Sequence, residues 1–121
     1  MSEKIVLMLE FKMKHGEKRQ AAKDMAAVLH AIPADSGITY TFYSDPLEAR
    51  TVHAIETHPS SQSLLDHMGN VAPLLAKSRE TADLVSMRLF GNASPLLAHV
   101  LGEMGQRAIP EWIPGEGHPA I

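Results

Sequence analysis

Six side chains offer the chemistry in this sequence: His67, Glu56, Tyr43, Arg88, His53 and Asn70. A free imidazole titrates near pH 6.5, so His67 is a candidate general base at neutral pH. The other reading is a core histidine tied to a carbonyl or carboxylate. Glu56 could orient that imidazole or accept from a substrate hydroxyl. It could equally be a buried carboxylate neutralised by Arg88 or Lys12. Tyr43 can donate to a ligand oxygen, Arg88 can hold a phenolate or carboxylate, and His53 can join them. Cross-strand packing and a surface ion pair are the alternatives for Tyr43 and Arg88. Asn70 could bind a ligand carbonyl or cap a helix irregularity. His53 and His58 are five apart, in or just past the end of a strand, and face opposite ways if it stays regular, which is poor geometry for a shared metal. His15, His30, His99 and His118 read as surface or loop residues. No phosphate-cradling glycine loop and no nucleophile elbow occur.

The elements that must position these groups follow from periodicity. Ile5, Leu7, Leu9, Phe11 and Met13 recur two apart, which predicts a strand over 4–14 with one apolar face. Residues 17–31 are rich in helix formers with a stripe of Ala22, Met25, Ala26 and Leu29, and Pro33 lies just beyond. Strands are expected over 38–44 and 50–57, joined as a hairpin through Ser44-Asp45-Pro46. Ile38, Tyr40 and Phe42 share one face; Glu56 shares a face with Val52 and Ala54. A second helix should start at Pro59-Ser60-Ser61 and carry Leu64, Leu65, Met68 and Val71. Its Gly69-Asn70 and Pro73 predict a kink or split. His67, three after Leu64 and four before Val71, falls on or beside the apolar side. A fourth strand over 82–90 puts Val85, Met87 and Leu89 on one face and Leu84, Ser86, Arg88 and Phe90 on the other. Ser94-Pro95 starts a third helix and Gly105 ends it. The order predicts an α+β, ferredoxin-like β-α-β-β-α-β domain over 1–105, with an antiparallel four-stranded sheet. Residues 106–121 read as an extended C-terminal arm, in which Trp112 should anchor against the body or a partner.

Composition narrows the class. The 121 residues make one domain, enough to bury roughly two-thirds of the unfolded surface. With 45% hydrophobic residues the chain is globular; with net charge -3 and scattered basic residues it has no nucleic-acid footprint. The absence of cysteine excludes disulfides, thiolate catalysis and cysteine-based metal sites. No apolar run reaches the ~20 residues of a membrane span, and the N-terminus does not read as a signal peptide, so a cytoplasmic location is expected. Two helices cover one sheet face and leave Val6, Met8, Leu84 and Phe90 exposed among polar residues. So large an apolar share predicts a homodimer through that face, around a ligand cavity, unless the third helix covers it.

One stretch carries a resemblance. In Glu56 to His67, ETHPSSQSLLDH, a strand-ending Glu is followed eight residues later by Leu64 and then by His67. It is preceded by Lys14-His15-Gly16 and by Tyr43-Ser44-Asp45-Pro46, and followed by a strand ending Phe90-Gly91. In order and spacing, residues 4 to 92 resemble the antibiotic biosynthesis monooxygenase family, a branch of the dimeric α/β-barrel proteins. The resemblance implies a ferredoxin-like homodimer. For some members it implies oxidation of aromatic polyketides or quinols by dioxygen without metal, flavin or other cofactor. On that reading His67 is the base, Glu56 orients it, and Tyr43 or Arg88 steadies the phenolate, with His53 and Asn70 as further contacts to a small aromatic molecule. The alternative is a non-catalytic dimer of the same fold that binds a small hydrophobic ligand.

Overall fold

The computed structural model describes residues 3–14 and 18–115, with residues 18–21 described by their backbone alone. The expectations for His15, Gly16 and His118 lie outside the described residues. The elements are β1 (Ile5–Met13), α1 (Lys18–His30), β2 (Thr39–Tyr43), β3 (Thr51–His58), α2 (Ser61–Ser78), β4 (Ala82–Phe90), α3 (Pro95–Glu103) and β5 (Ala108–Ile109). They form an α+β, ferredoxin-like fold with strand order β2-β3-β1-β4-β5. The first four strands pair antiparallel, as expected; β5 is parallel to β4.

That fifth strand is one element more than the sequence predicts. After α3, Gly105 takes φ 71°, a left-handed conformation that suits glycine, and Gln106 N–H bonds back to Leu101 O at 2.8 Å. The turned chain then lies along β4, where Gly91 N–H donates to Ile109 O at 2.8 Å. A two-residue strand is too short to leave an alternation in the sequence. Trp112, expected to anchor the arm, is 60% exposed.

Period-two alternation sets the faces. Ile5, Leu7 and Met13 of β1, Val52 and Ala54 of β3, and Ala82 and Leu89 of β4 are buried beneath the helices. Leu64 on α2 and Leu97 and Leu101 on α3 close over Ile5, Leu7 and Leu89 as one cluster. Each such side chain contributes about 1.5–3 kcal/mol of burial free energy. Thus α3 packs on the same face as α2, and the other face of the sheet stays open. The barrel is not closed within one chain.

One local expectation is corrected, and of the kink or split expected in the second helix the split does not occur. In β4 the register shifts between Glu10 and Phe11, so Ser86 faces Glu10 but Leu84 faces Phe11. This β-bulge brings Leu84, still 50% exposed, to the edge of the helix-face cavity, where strict alternation had placed it on the open face, and leaves Val85 54% exposed. Helix α2 runs unbroken through Pro73. Gly69, Asn70, Ala72 and Pro73 all lie on its exposed side, where a carbonyl that loses its N–H partner can bond water. The buried stripe of Leu64, His67 and Val71 holds the helix to the sheet. Among the described residues no helix is long and apolar enough to cross a membrane.

Candidate functional site

Four polar side chains meet beneath α2, in an otherwise apolar layer. Glu56 and His58 are two apart on β3 and point to the helix face, opposite Leu7 and Ile5 of β1. Tyr40 of β2 stands directly across from Glu56. His67 descends from α2 between Leu64 and Val71. Glu56, His58 and His67 are 2%, 1% and 5% exposed.

Burial forces these groups to satisfy one another. His58 Nε2 lies 2.7 Å from Glu56 Oε1, and His58 Nδ1 lies 3.3 Å from Ser63 Oγ. The Tyr40 hydroxyl is 3.2 Å from His67 Nε2 and lies close enough to Glu56 to feel its charge. A phenol has one proton, so it can serve Glu56 or His67 but not both at once. The rings of His58 and His67 lie 5.2 Å apart, centroid to centroid. Ser63 is placed by the helix cap: its N–H donates to Ser60 Oγ at 3.1 Å.

The electrostatics follow from this packing. Burial lowers the pKa of His67, with the Glu56 charge pulling the other way and His58 adding to the fall. The imidazole is therefore neutral and able to accept a proton at neutral pH. Burial, reinforced by the charge and hydrogen bond of Glu56, raises the pKa of Tyr40, so its phenol stays protonated and can donate.

Glu56, His67 and Tyr40 border a cavity of about 170 Å³, walled mainly by apolar groups such as Leu7, Leu9, Phe11 and Leu64, with Ser78 and Arg79 also on its lining. A smaller apolar pocket between the sheet and both α1 and α2 shares the Leu9, Phe11, Tyr40 and Leu75 walls. Glu56, His58 and His67 are also the residues placed to hold a metal ion, with one donor atom from each within 4.8 Å of the others.

The sequence-predicted residues divide between the two faces. Glu56 and His67 come together in the cavity. Tyr43, His53 and Arg88 do not join them: they border a separate depression on the open face, with Met8, Glu10 and Ser86. The sheet itself stands between the two groups, so the expected role of Tyr43 or Arg88 beside His67 is corrected. Asn70 lies on the exposed side of α2. Glu56 is paired by His58 and Tyr40 and not by Arg88 or Lys12, which sit across the sheet. His53 instead lies 3.8 Å from Glu10. Tyr40, His58 and Ser63 were missed. For the first two the signal was present: Tyr40 shares its parity with Ile38 and Phe42, and His58 continues the series Val52, Ala54, Glu56.

No protein-family model matches the sequence, and no curated protein matches it. Solved structures do. MupZ from Pseudomonas fluorescens superposes with a TM-score of 0.78 at 20% identity, over 93% of this chain and 88% of that one. SnoaB from Streptomyces nogalater, described as a cofactor-independent oxygenase, gives 0.66 at 12% identity, over 78% and 98%. A candidate antibiotic biosynthesis monooxygenase from Chloroflexus aurantiacus gives 0.57 at 18% identity, over 71% and 89%. At these identities the likeness is one of fold: the chain has the ferredoxin-like fold of antibiotic biosynthesis monooxygenase structures.

Proposed function

We propose that this protein is a cofactor-independent monooxygenase that oxidises an electron-rich aromatic, a quinol or polyketide-like ring system, in the cavity beneath α2. One observation carries the reading: His67 stands on the wall of a partly open, largely apolar cavity with its Nε2 3.2 Å from the Tyr40 hydroxyl. A base and a proton donor in a water-poor, ring-sized space are what such chemistry requires of a protein. The likeness of fold to a cofactor-independent oxygenase supports it.

In this reading His67 removes a proton from the substrate. Tyr40 steadies the resulting oxyanion by hydrogen bonding, and Glu56 with His58 fixes both rings. The substrate anion passes one electron to dioxygen. The radical pair recombines to a peroxide, which loses water, leaving one oxygen atom in the product and the other in water. Leu9, Phe11 and Leu64 keep bulk water away from the anion.

The open face completes the proposal. Met8 is 44% and Tyr43 52% exposed there, beside Val6, Ile55 and Phe90, and α3 does not cover them. Two copies pairing through this face would bury it and close a barrel. Tyr43, His53 and Arg88 then belong to the interface depression. Sedimentation at micromolar concentration should give a dimer; a lone chain refutes the pairing.

The activity is tested by oxygen uptake with dihydroxynaphthalenes and anthrones, in EDTA-treated protein. His67→Ala should abolish uptake and leave the circular dichroism spectrum intact. Unchanged turnover removes His67 from the chemistry. Ligand-induced thermal shifts without any uptake point to the non-catalytic, ligand-binding dimer.

A further inference from the structure

The cluster under α2 contains more nitrogen and oxygen donors than a single proton transfer uses. Glu56, His58 and His67 each present one donor atom, and these atoms lie within 4.8 Å of one another. Two imidazoles and one carboxylate make a donor set that borderline divalent ions accept, with coordination positions left over. Glu56 and His67 also border the cavity, so those positions face open space.

The way the donors are held points in the same direction. Ser63 Oγ lies 3.3 Å from His58 Nδ1, which leaves His58 Nε2 as the nitrogen turned into the cluster, toward Glu56. A ligating histidine is commonly fixed in this manner, with its second nitrogen bonded to an oxygen that sets tautomer and ring orientation. Ser63 is in turn fixed by the α2 cap through Ser60. Tyr40 holds His67 and Glu56 from the β2 side. In a tetrahedral site with bonds of 2.0–2.1 Å, donors sit about 3.3 Å apart, so the widest separation must shrink by at most about 1.5 Å while the 2.7 Å His58–Glu56 pair opens by about 0.6 Å.

We propose that Glu56, His58 and His67 form a binding site for a divalent first-row transition ion, of which Zn²⁺ is the type, with Ser63 as the residue that positions His58. The ion takes the place of the proton between His58 Nε2 and Glu56 Oε1; in neutral His58 that single proton moves to Nδ1, from which it is donated to Ser63 Oγ, so none is released. Mg²⁺ and Ca²⁺, which take all-oxygen shells, do not compete.

This does not rest on the oxygenase reading. An ion on His67 occupies the lone pair that would accept a proton, so metal should inhibit oxygen uptake. Metal binding is measured without substrate, and uptake is measured in EDTA, so either can fail alone.

The test is a titration of the untagged, EDTA-stripped full chain with CoCl₂, followed by visible absorption. One saturable equivalent of Co²⁺ is expected, with bands that Zn²⁺ abolishes and excess Mg²⁺ leaves alone. His67→Ala should weaken binding at least a hundredfold, and Ser63→Ala about tenfold. His30→Ala and His99→Ala, which alter exposed imidazoles, should leave Co²⁺ binding unchanged. Ser63→Ala removes one hydroxyl and keeps the fold, so the assignment does not depend on a variant that unfolds. Absence of saturable binding at millimolar Co²⁺ overturns the site and leaves the same side chains as a metal-free hydrogen-bond network. Binding that survives His67→Ala also overturns it.

Discussion

Replacing His58 by Ala removes the partner of a carboxylate that the fold has taken out of water. The His58 side chain is fully buried, Glu56 is 2% exposed, and the two meet at 2.7 Å. Removing one member of such a pair costs about 3–5 kcal/mol, because the other charge stays buried without compensation. Here the Tyr40 hydroxyl lies near Glu56 and can turn to it as a replacement donor, which places the loss near the lower end, about 3 kcal/mol. For a domain of this size each kcal/mol moves Tm by about 3–6 °C, so a fall of about 10–20 °C is expected. The double variant His58→Ala with Glu56→Gln removes the stranded charge as well. It should recover about 1–2 kcal/mol relative to His58→Ala alone, a coupling of the size found between contacting groups. Urea unfolding followed by circular dichroism, in EDTA, reads both: the midpoint should move while the slope stays constant. A His58→Ala loss below about 1 kcal/mol, or a double variant weaker than His58→Ala, refutes the idea that the pair is desolvated.

Other consequences can be measured separately. Tyr40→Phe keeps the ring and removes the hydroxyl; turnover in the oxygen-uptake assay should fall about tenfold or more, the equivalent of one hydrogen bond of about 1.4 kcal/mol, and unchanged kcat excludes the phenol from the reaction. Burial lowers the pKa of His67 below that of a free imidazole, so just below pH 6.5 the unfolded chain binds more protons than the folded one. Stability should therefore rise with pH through that window and level off above it; the difference between the parent and His67→Gln, measured by urea unfolding from roughly pH 5 to 8, isolates the effect, and a difference that falls with pH contradicts it. Gly91 has φ 134°, and a Cβ there would lie 2.5 Å from Lys4 O and 2.9 Å from Ile5 Cδ1; Gly91→Ala should cost about 2–4 kcal/mol in the same unfolding assay. Met8→Glu adds a charge to the middle of the open face and should convert the proposed dimer to a monomer in sedimentation while leaving helix content unchanged.

The readable part of the candidate site was its local direction. The alternation of Val52, Ala54 and Glu56 turned that carboxylate toward the apolar layer, and the spacing of Leu64, His67 and Val71 put the imidazole on the buried stripe of α2. Tyr40 was placed on the correct face of β2 but not weighed for chemistry. His58 was read as lying at or past the end of β3, although the same alternation carries it inward. Tyr43, His53 and Arg88 were placed correctly on the mixed face, and the error was to join that face to His67.

The sequence by itself determined the elements and the side toward which each residue points, because periods of two and of about 3.6 are properties of a local backbone. It also determined where helices start, through Ser60 and Ser94, whose oxygens satisfy first-turn N–H groups near them in the chain. Tertiary structure alone decided that α3 joins α2 on one face, that a bulge brings Leu84 to the edge of the helix-face cavity, and that the arm contributes β5. It also decided that Tyr40, Glu56, His58 and His67 share one buried space. Those outcomes depend on strand register and on how helices cross the sheet. Both are set by the packing of residues far apart in the chain, and a local periodicity carries no record of them.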